Sequence, residues 1–347
     1  MKCLSCLSTL SHKLNQRHYD GERIQDMISA IIFHSILGFS IFMCGMKLME
    51  LALFRLGGPT FLRLLERSTR TPLHGLVLGT ASSAFLQSST AVTVLSIGFV
   101  NSRLLPFSRT LGIILGTNIG TCLTTELIGL DINHLAKPLM FGALILWGIT
   151  VLLVEYRIIP ALYQWKGSEY IRSLSIVIFG FGTLLLGLTV MQGIGPFIQN
   201  TEVFDWFLAQ AQTTLWWGIL SGAVLTALIH SGAAVIGMIM GIAALGVLPL
   251  DLSIAIVLGC NIGTCVTAII ASLGGSKGGR YVAMAHLVLN IGGALLFFPF
   301  IDMLATAVMW TTTSIATAIA HAQTLFNIIC SFIALPICYM KWFKRFD

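Results

Sequence analysis

The stretch Leu86-Gln87-Ser88-Ser89-Thr90-Ala91 decides how this sequence folds. It sits at the centre of an apolar run of 28 residues, Leu73 to Val100. Four successive polar side chains at membrane depth are costly unless they line a cavity or bind something. A straight helix of that length would reach about 42 Å, beyond a hydrocarbon core of ~30 Å. Two short arms meeting at Gln87–Thr90 fit better, and such a pair is a re-entrant hairpin. A second polar cluster follows at Gly116-Thr117-Asn118-Ile119-Gly120-Thr121, inside another apolar segment.

Composition sets the class. The 347 residues are 56% hydrophobic and 10% charged, with mean hydropathy +0.89. Soluble domains carry about 25% charged residues. Repeated apolar stretches of span length predict an all-α polytopic membrane protein, because only helices satisfy their own backbone in lipid at this composition. The net charge of +6 comes from loop residues between apolar segments, with no basic run to hold nucleic acid. No cleavable signal peptide is expected, since residues 1–26 are polar and the first apolar run is span-length. Six of the eight cysteines lie in apolar stretches and read as small hydrophobes. Cys3 and Cys6 form a lone C-x-x-C, without the second pair or histidines that zinc requires.

Both polar clusters recur downstream. Residues 75–124 align without a gap to 218–267, and 18 of the 50 positions are identical. Among them are Gly79/Gly222, Ser88/Ser231, Leu105-Pro106/Leu248-Pro249 and all of Asn118–Cys122/Asn261–Cys265. The first spans match at a shift of 142 through Gly38-Phe39/Gly180-Phe181, Gly45/Gly187 and Met49/Met191. The chain therefore divides into a polar tail (1–26), repeat 1 (27–155), a linker (156–172), repeat 2 with a closing helix (173–340) and a basic C-terminal tail (341–347). Residues 58–71 read as a separate amphipathic helix in the membrane interface, or as a solvated linker helix. Each repeat is expected to hold a re-entrant hairpin and a helix broken at its Asn-Ile-Gly-Thr motif. Three crossings per repeat turn the second copy upside down, giving inverted repeats with a site near the midplane. The charges agree: with 55–70 placed inside, fourteen Lys and Arg fall inside and only Lys137 outside, although the N-terminal tail then lies outside with its own basic residues.

Broken helices free backbone groups. Carbonyls with Thr and Asn oxygens suit a small hard cation, and N–H groups at a half-helix N-terminus suit an anion. Gln87, Ser88, Ser89 and Thr90 offer donors without negative charge, a lining for an oxyanion. Thr117, Asn118 and Thr121, with Asn261 and Thr264, could supply cation oxygens. The plainer reading is that these small polar residues pack and hydrogen-bond between helices. Four clusters paired by a repeat favour a transport site. His230 replaces Gln87 in the second copy, beside Ser231, as a proton-sensitive ligand or a neutral hydrogen-bonding group. His286 with Asn290, and Gln323 with Asn327, each share a helix face and read as supports for the site. Glu126 reads as an acid at the outer interface. No phosphate loop, nucleophile elbow or H-E-x-x-H motif occurs, so no enzyme activity is expected.

Gln87-Ser-Ser-Thr-Ala91 followed by Gly116-Thr-Asn-Ile-Gly-Thr121, in duplicate, resembles the type II sodium–phosphate cotransporter family. Ala285-His286-Leu-Val-Leu-Asn290 and Thr324-Leu-Phe-Asn327 are similar to its closing motifs. The resemblance spans residues 27–340. It implies secondary transport of inorganic phosphate coupled to sodium, with Gln87–Thr90 at the shared site, no cofactor, and a multi-pass location in a cell membrane of the bacterial inner-membrane type. The family's second copy usually reads Gln-Ser-Ser-Ser; here it is His230-Ser231-Gly232-Ala233, and Ser231 alone carries over. Some relatives carry a soluble regulatory domain after the last span; here the expectation is a short tail ending at Asp347. Transport of another small oxyanion, proton coupling, an ion channel and a non-transporting membrane partner are the alternatives.

Overall fold

The computed structural model describes residues 2–155, 167–193 and 202–347. Among them every regular element is helical. In order these are α1 (Lys2–Ser68), α2 (Pro72–Leu86), α3 (Ser89–Asn101), α4 (Phe107–Gly129), α5 (Ala136–Glu155) and α6 (Gly167–Gln192). Then follow α7 (Glu202–Thr213), α8 (Trp216–Ile229), α9 (Gly232–Ala244), α10 (Leu250–Gly263), α11 (Cys265–Ser272), α12 (Lys277–Phe297), α13 (Ile301–Met309) and α14 (Ile315–Ala334). Local chemistry sets many starts. Thr71, Ser88, Ser231, Ser276 and Ser314 each accept a backbone N–H two or three positions into the helix they open. Pro106 and Pro249 precede α4 and α10, where a missing N–H costs nothing. Seven segments among the described residues are long and apolar enough to cross a membrane.

Three expectations are corrected. Residues 58–71 do not form a separate helix, because α1 runs unbroken through Gly57-Gly58-Pro59 to Ser68. Packing overrides the breakers: the Phe85 ring lies where a Cβ on Gly57 would sit, 2.6 Å away, and Phe61 stacks on Phe85 at 4.7 Å. The first Asn-Ile-Gly-Thr motif does not break its helix either, since α4 is continuous from Phe107 to Gly129. Only the second copy is interrupted, at Thr264 between α10 and α11. The second repeat's first span starts at Gly167, inside what reads as linker; 156–166 and the side chains of Cys3 and Cys6 lie outside the described residues.

Glycines bring the spans together. A Cβ on Gly38 would lie 3.0 Å from Gly187 O, and one on Gly45 would lie 2.5 Å from Gly180 O. As numbers rise along α1 they fall along α6, so the two copies of the first span are antiparallel and meet through each other's glycines. In lipid there is little hydrophobic gain in helix association, and close backbone approach supplies dispersion instead. The same device recurs within each copy. Gly116 and Gly120 press on α2, and Gly259 and Gly263 press on α8 at the matching places. These motif glycines serve packing in both copies, whether the helix runs on, as α4 does, or is interrupted at Thr264. The second hairpin arms cross over: α3 packs on α11 and α12, while α9 packs on α4, α6 and α14. Phe42, Leu185, Val235 and Ala234, all fully buried, fill the core around α9.

Candidate functional site

Each hairpin turns on one left-handed residue. Gln87 has φ 53° and His230 has φ 60°, the same conformation at equivalent positions. Holding a non-glycine residue there costs on the order of 1 kcal/mol. The side chain explains why glycine is not used at the first tip. Gln87 Nε2 donates to Ala84 O at 2.6 Å, satisfying a carbonyl left over at the end of α2. Its Oε1 accepts from Thr124 Oγ1 at 2.7 Å. At the second tip Thr267 Oγ1 lies 3.5 Å from His230 Nδ1. Thr124 and Thr267 occupy equivalent positions, so the tip-to-helix clasp is itself repeated.

One residue further on, Ser88 and Ser231 cap α3 and α9 by accepting from Ala91 N and Ala234 N, both at 3.3 Å. The first N–H groups of α3 have no acceptor within the helix and carry its positive dipole end. The Ser89 and Thr90 hydroxyls are half-buried and take no hydrogen-bond partner among the described residues. Thr93, 2% exposed and one turn on, also has an unpartnered hydroxyl. The first tip thus combines neutral donors, an N-terminal helix end and no fixed anion. The second tip differs. Gly232 and Ala233 are buried, and a Cβ on Gly232 would lie 3.0 Å from Thr264 Cγ2. Small residues there let the arm close on Thr264.

The helix clusters are held differently from the tips. Thr117 donates to Ile114 O, Thr121 to Thr117 O and Thr264 to Asn261 O, at 2.7–2.8 Å. A threonine whose proton is bound to its own helix still presents oxygen lone pairs outward, the character a cation needs. Asn261 Nδ2 is tied to Val257 O at 3.0 Å. Asn118 reaches across the copies: its Nδ2 donates to Asn290 Oδ1 at 3.0 Å, and its Oδ1 lies 3.3 Å from His286 Nε2. Asn290 Nδ2 in turn donates to Cys265 Sγ at 3.1 Å. In the other copy Asn327 Nδ2 donates to Cys122 Sγ at 3.4 Å, and Thr125 donates to Gln323 Oε1. His286, Asn290, Gln323 and Asn327 therefore touch the two Asn-Ile-Gly-Thr-Cys motifs, contacts that their spacing alone did not give. Asn118, Asn290, Asn327 and Ser331 share a pocket of 260 Å³.

The expected residues thus fall into three groups, the first tip with Thr124, the second tip with Thr264 and Thr267, and the Asn118 network, while the side chains of Thr117, Thr121 and Asn261 hydrogen-bond to their own helices. No hydrogen bond joins Gln87–Thr90 directly to His230 or Ser231 among the described residues; Ser231 Oγ lies 3.8 Å from Met46 Sδ instead. Sequence reading missed Thr124 and Thr267, although both are identical in the repeat and stand 37 residues after their tips. It also missed Thr93, which has no counterpart in the second copy. Glu126 accepts from Thr324 and lies 3.5 Å from His321 Nε2, so it is engaged by α14 rather than simply solvated.

Seven helices of span length among the described residues, with duplicated polar tips between them, define a multi-pass helical membrane protein. The chain belongs to the Na+/Pi-cotransporter family, which matches residues 41–193 and 200–337. It is 30% identical over 312 residues to the uncharacterized protein YqeW of Bacillus subtilis, covering 90% of this chain and 95% of that one. It is 22% identical to the putative inorganic phosphate export protein YjbB of Escherichia coli K12, covering 88% of this chain and 53% of that one. This chain therefore spans about half the length of that relative. The sodium-dependent phosphate transport protein 2B of Rattus norvegicus is 29% identical over 119 residues, 33% of this chain and 17% of that one. No solved structure matches.

Proposed function

We propose that the protein is a secondary transporter that moves inorganic phosphate across a bacterial cell membrane, coupled to sodium. The observation that carries this reading is the first tip. Gln87 is clasped by Thr124, and beside it Ser89, Thr90 and the N-terminal end of α3 offer unused donors with no carboxylate among them. Such a lining suits a phosphate oxyanion, which helix N-termini bind through N–H groups and dipole. The lone pairs of Thr117, Thr121 and Thr264 suit sodium. The family supports phosphate as cargo, and the relatives from Bacillus subtilis and Escherichia coli support a bacterial membrane.

On this reading residues 27–155 and 173–340 are inverted repeats, α2–α3 and α8–α9 are re-entrant hairpins, and cargo passes between them. The antiparallel pairing of α1 and α6 supports the inversion. Asymmetry of the tips makes the first the principal anion site, because the second has exchanged two hydroxyl positions for Gly232 and Ala233. The test is radiolabelled phosphate flux in proteoliposomes with and without an imposed sodium gradient. Accumulation that needs the gradient is the expected result. Flux that ignores sodium but follows a pH gradient would replace the coupling ion, and absence of any phosphate flux in either direction would remove the function. Export is a second reading, favoured by the printed name of the Escherichia coli relative; the same vesicles loaded with phosphate distinguish it.

A further inference from the structure

Below the first tip, α3 and α12 lie antiparallel. Asn101 Oδ1 accepts from Ser276 N at 2.9 Å, and a Cβ on Gly279 would lie 3.2 Å from Ile97 Cγ2. Partner numbers thus fall on α3 as they rise on α12. Ile97 and Val100 pack with Val282 and Ala283 in one buried cluster. One turn nearer the tip, the same two faces carry Thr93 and His286. A second path gives the same level. His286 reaches Asn118, six residues before Thr124 on α4 and so about 9 Å below the clasp on Gln87. Thr93 stands five residues after Ser88, about 7.5 Å below the tip.

Neither facing group is satisfied. Thr93 Oγ1 and His286 Nδ1 are buried without a hydrogen-bond partner among the described residues, on residues only 2% and 5% exposed. The network around His286 fixes what Nδ1 is. Asn118 spends its amide on Asn290 Oδ1, so its own Oδ1 faces His286 Nε2 as an acceptor. Nε2 therefore donates, and Nδ1 presents a lone pair. The hydroxyls of Ser89, Thr90 and Thr93 and the first N–H groups of α3 can all donate. Nδ1 can only accept.

We infer that His286 Nδ1 and Thr93 Oγ1 turn to one another as the specificity subsite of the first tip, which takes a hydroxyl-bearing oxyanion and excludes oxyanions without a proton. The inference deepens the transport reading and rests on its placement of the anion at the first tip. Ser89 and Thr93 share a face of α3, about 6 Å apart along the helix, so one tetrahedral anion can meet both. The donors engage its bare oxygens, and Nδ1 accepts from its hydroxyl. At neutral pH inorganic phosphate and arsenate both keep a proton, whereas sulfate has none. Sulfate would set lone pair against lone pair and leave a buried acceptor unpaired. A site built around a ligand hydroxyl rejects the analogue that lacks it for this reason.

The purified full chain, melted in detergent with phosphate, arsenate or sulfate at equal ionic strength, tests it beside competition for phosphate uptake in proteoliposomes. Phosphate and arsenate should raise the melting temperature and compete at similar concentrations, while sulfate should need about a hundredfold more. Thr93→Val removes a hydroxyl that has no partner, so the protein alone should melt unchanged while half-saturating phosphate, in melting or uptake, rises about tenfold. An unchanged phosphate requirement in that variant would overturn the proposal. His286→Leu should erase most of the discrimination against sulfate. His286→Asn sets an amide oxygen near the place of Nδ1 and should restore it, although both variants lose the bond to Asn118. Equal effects of the two would reduce His286 to a support for α4 and overturn the subsite. Where the His286 variants do not melt cooperatively, Thr93→Val and the sulfate comparison in the unaltered protein decide. Sulfate acting as well as phosphate there would overturn the subsite and leave transport standing. Stabilisation by phosphate and not sulfate, without any flux, would fail the transport reading and uphold the subsite.

Discussion

At the scale of single residues, the tip is organised by a side chain that binds backbone and neighbour at once. Thr124→Val keeps the volume but removes the donor to Gln87 Oε1. A neutral hydrogen bond contributes about 0.5–1.5 kcal/mol, so phosphate uptake should fall roughly three- to tenfold while the amount of folded protein stays unchanged. Thr124→Ser should restore it. Unchanged uptake in Thr124→Val would show that the clasp is irrelevant. Ser89→Ala and Thr90→Val act on proposed contacts to a charged ligand, worth about 1.5–3 kcal/mol each, and should raise the half-saturating phosphate concentration by about tenfold or more. Gly232→Ser meets Thr264 Cγ2 rather than open space, so its expected effect is a small loss of thermal stability with phosphate affinity retained. A Gly232→Ser protein of normal stability and no uptake, beside active Ser89→Ala, would move the anion site to the second tip.

At the scale of elements, the antiparallel seam between α1 and α6 rests on four glycines. Gly187→Leu would drive a side chain into Phe42 N and Gly38 O, both within 2.7 Å of the new Cβ, and should abolish a cooperative melt of the purified protein. Gly98→Leu should melt like the parent, because nothing lies within 4 Å of that position. Both glycines are identical in the repeat, so identity alone does not separate them. That contrast marks what the sequence makes legible. Hairpin tips were readable because Gln87–Thr90 and its copy interrupt apolar runs too long for one span. The packing role of Gly116 and Gly120 was not, since a glycine that breaks a helix and one that admits a neighbour look alike until the neighbour is known. Pro59 misled for the same reason: α1 runs on through it, beside a contact of Gly57 and Phe61 with Phe85 that is distant in sequence.

At the scale of the molecule, the proposed inversion of the repeats makes a prediction that no single element makes. Arg103 and Gly246 lie in equivalent exposed loops, after α3 and after α9, each with positive φ. In a background lacking the eight native cysteines, Arg103→Cys and Gly246→Cys should react with a membrane-impermeant maleimide from opposite sides. Labelling from one side would leave the repeats parallel and remove the midplane argument with them. The number of spans and the duplication were legible from composition and spacing. The links that join the copies, Asn118 to Asn290 and Asn327 to Cys122, depend on which helices become neighbours. Only the helix faces carrying them could be read beforehand.

The glycine seam also governs assembly. α1 and α6 present copies of one surface, and self-complementary surfaces of this kind invite pairing between identical segments of different chains. Their contact is antiparallel, however, and two α1 helices inserted by the same rule stand parallel in the bilayer. The seam therefore rejects α1 from a neighbouring chain and accepts α6, which leaves the ribosome more than a hundred residues later. Until then the glycine face of α1 stays against lipid, so a chain cut short before α6 should hold an intact first span with no stable partner.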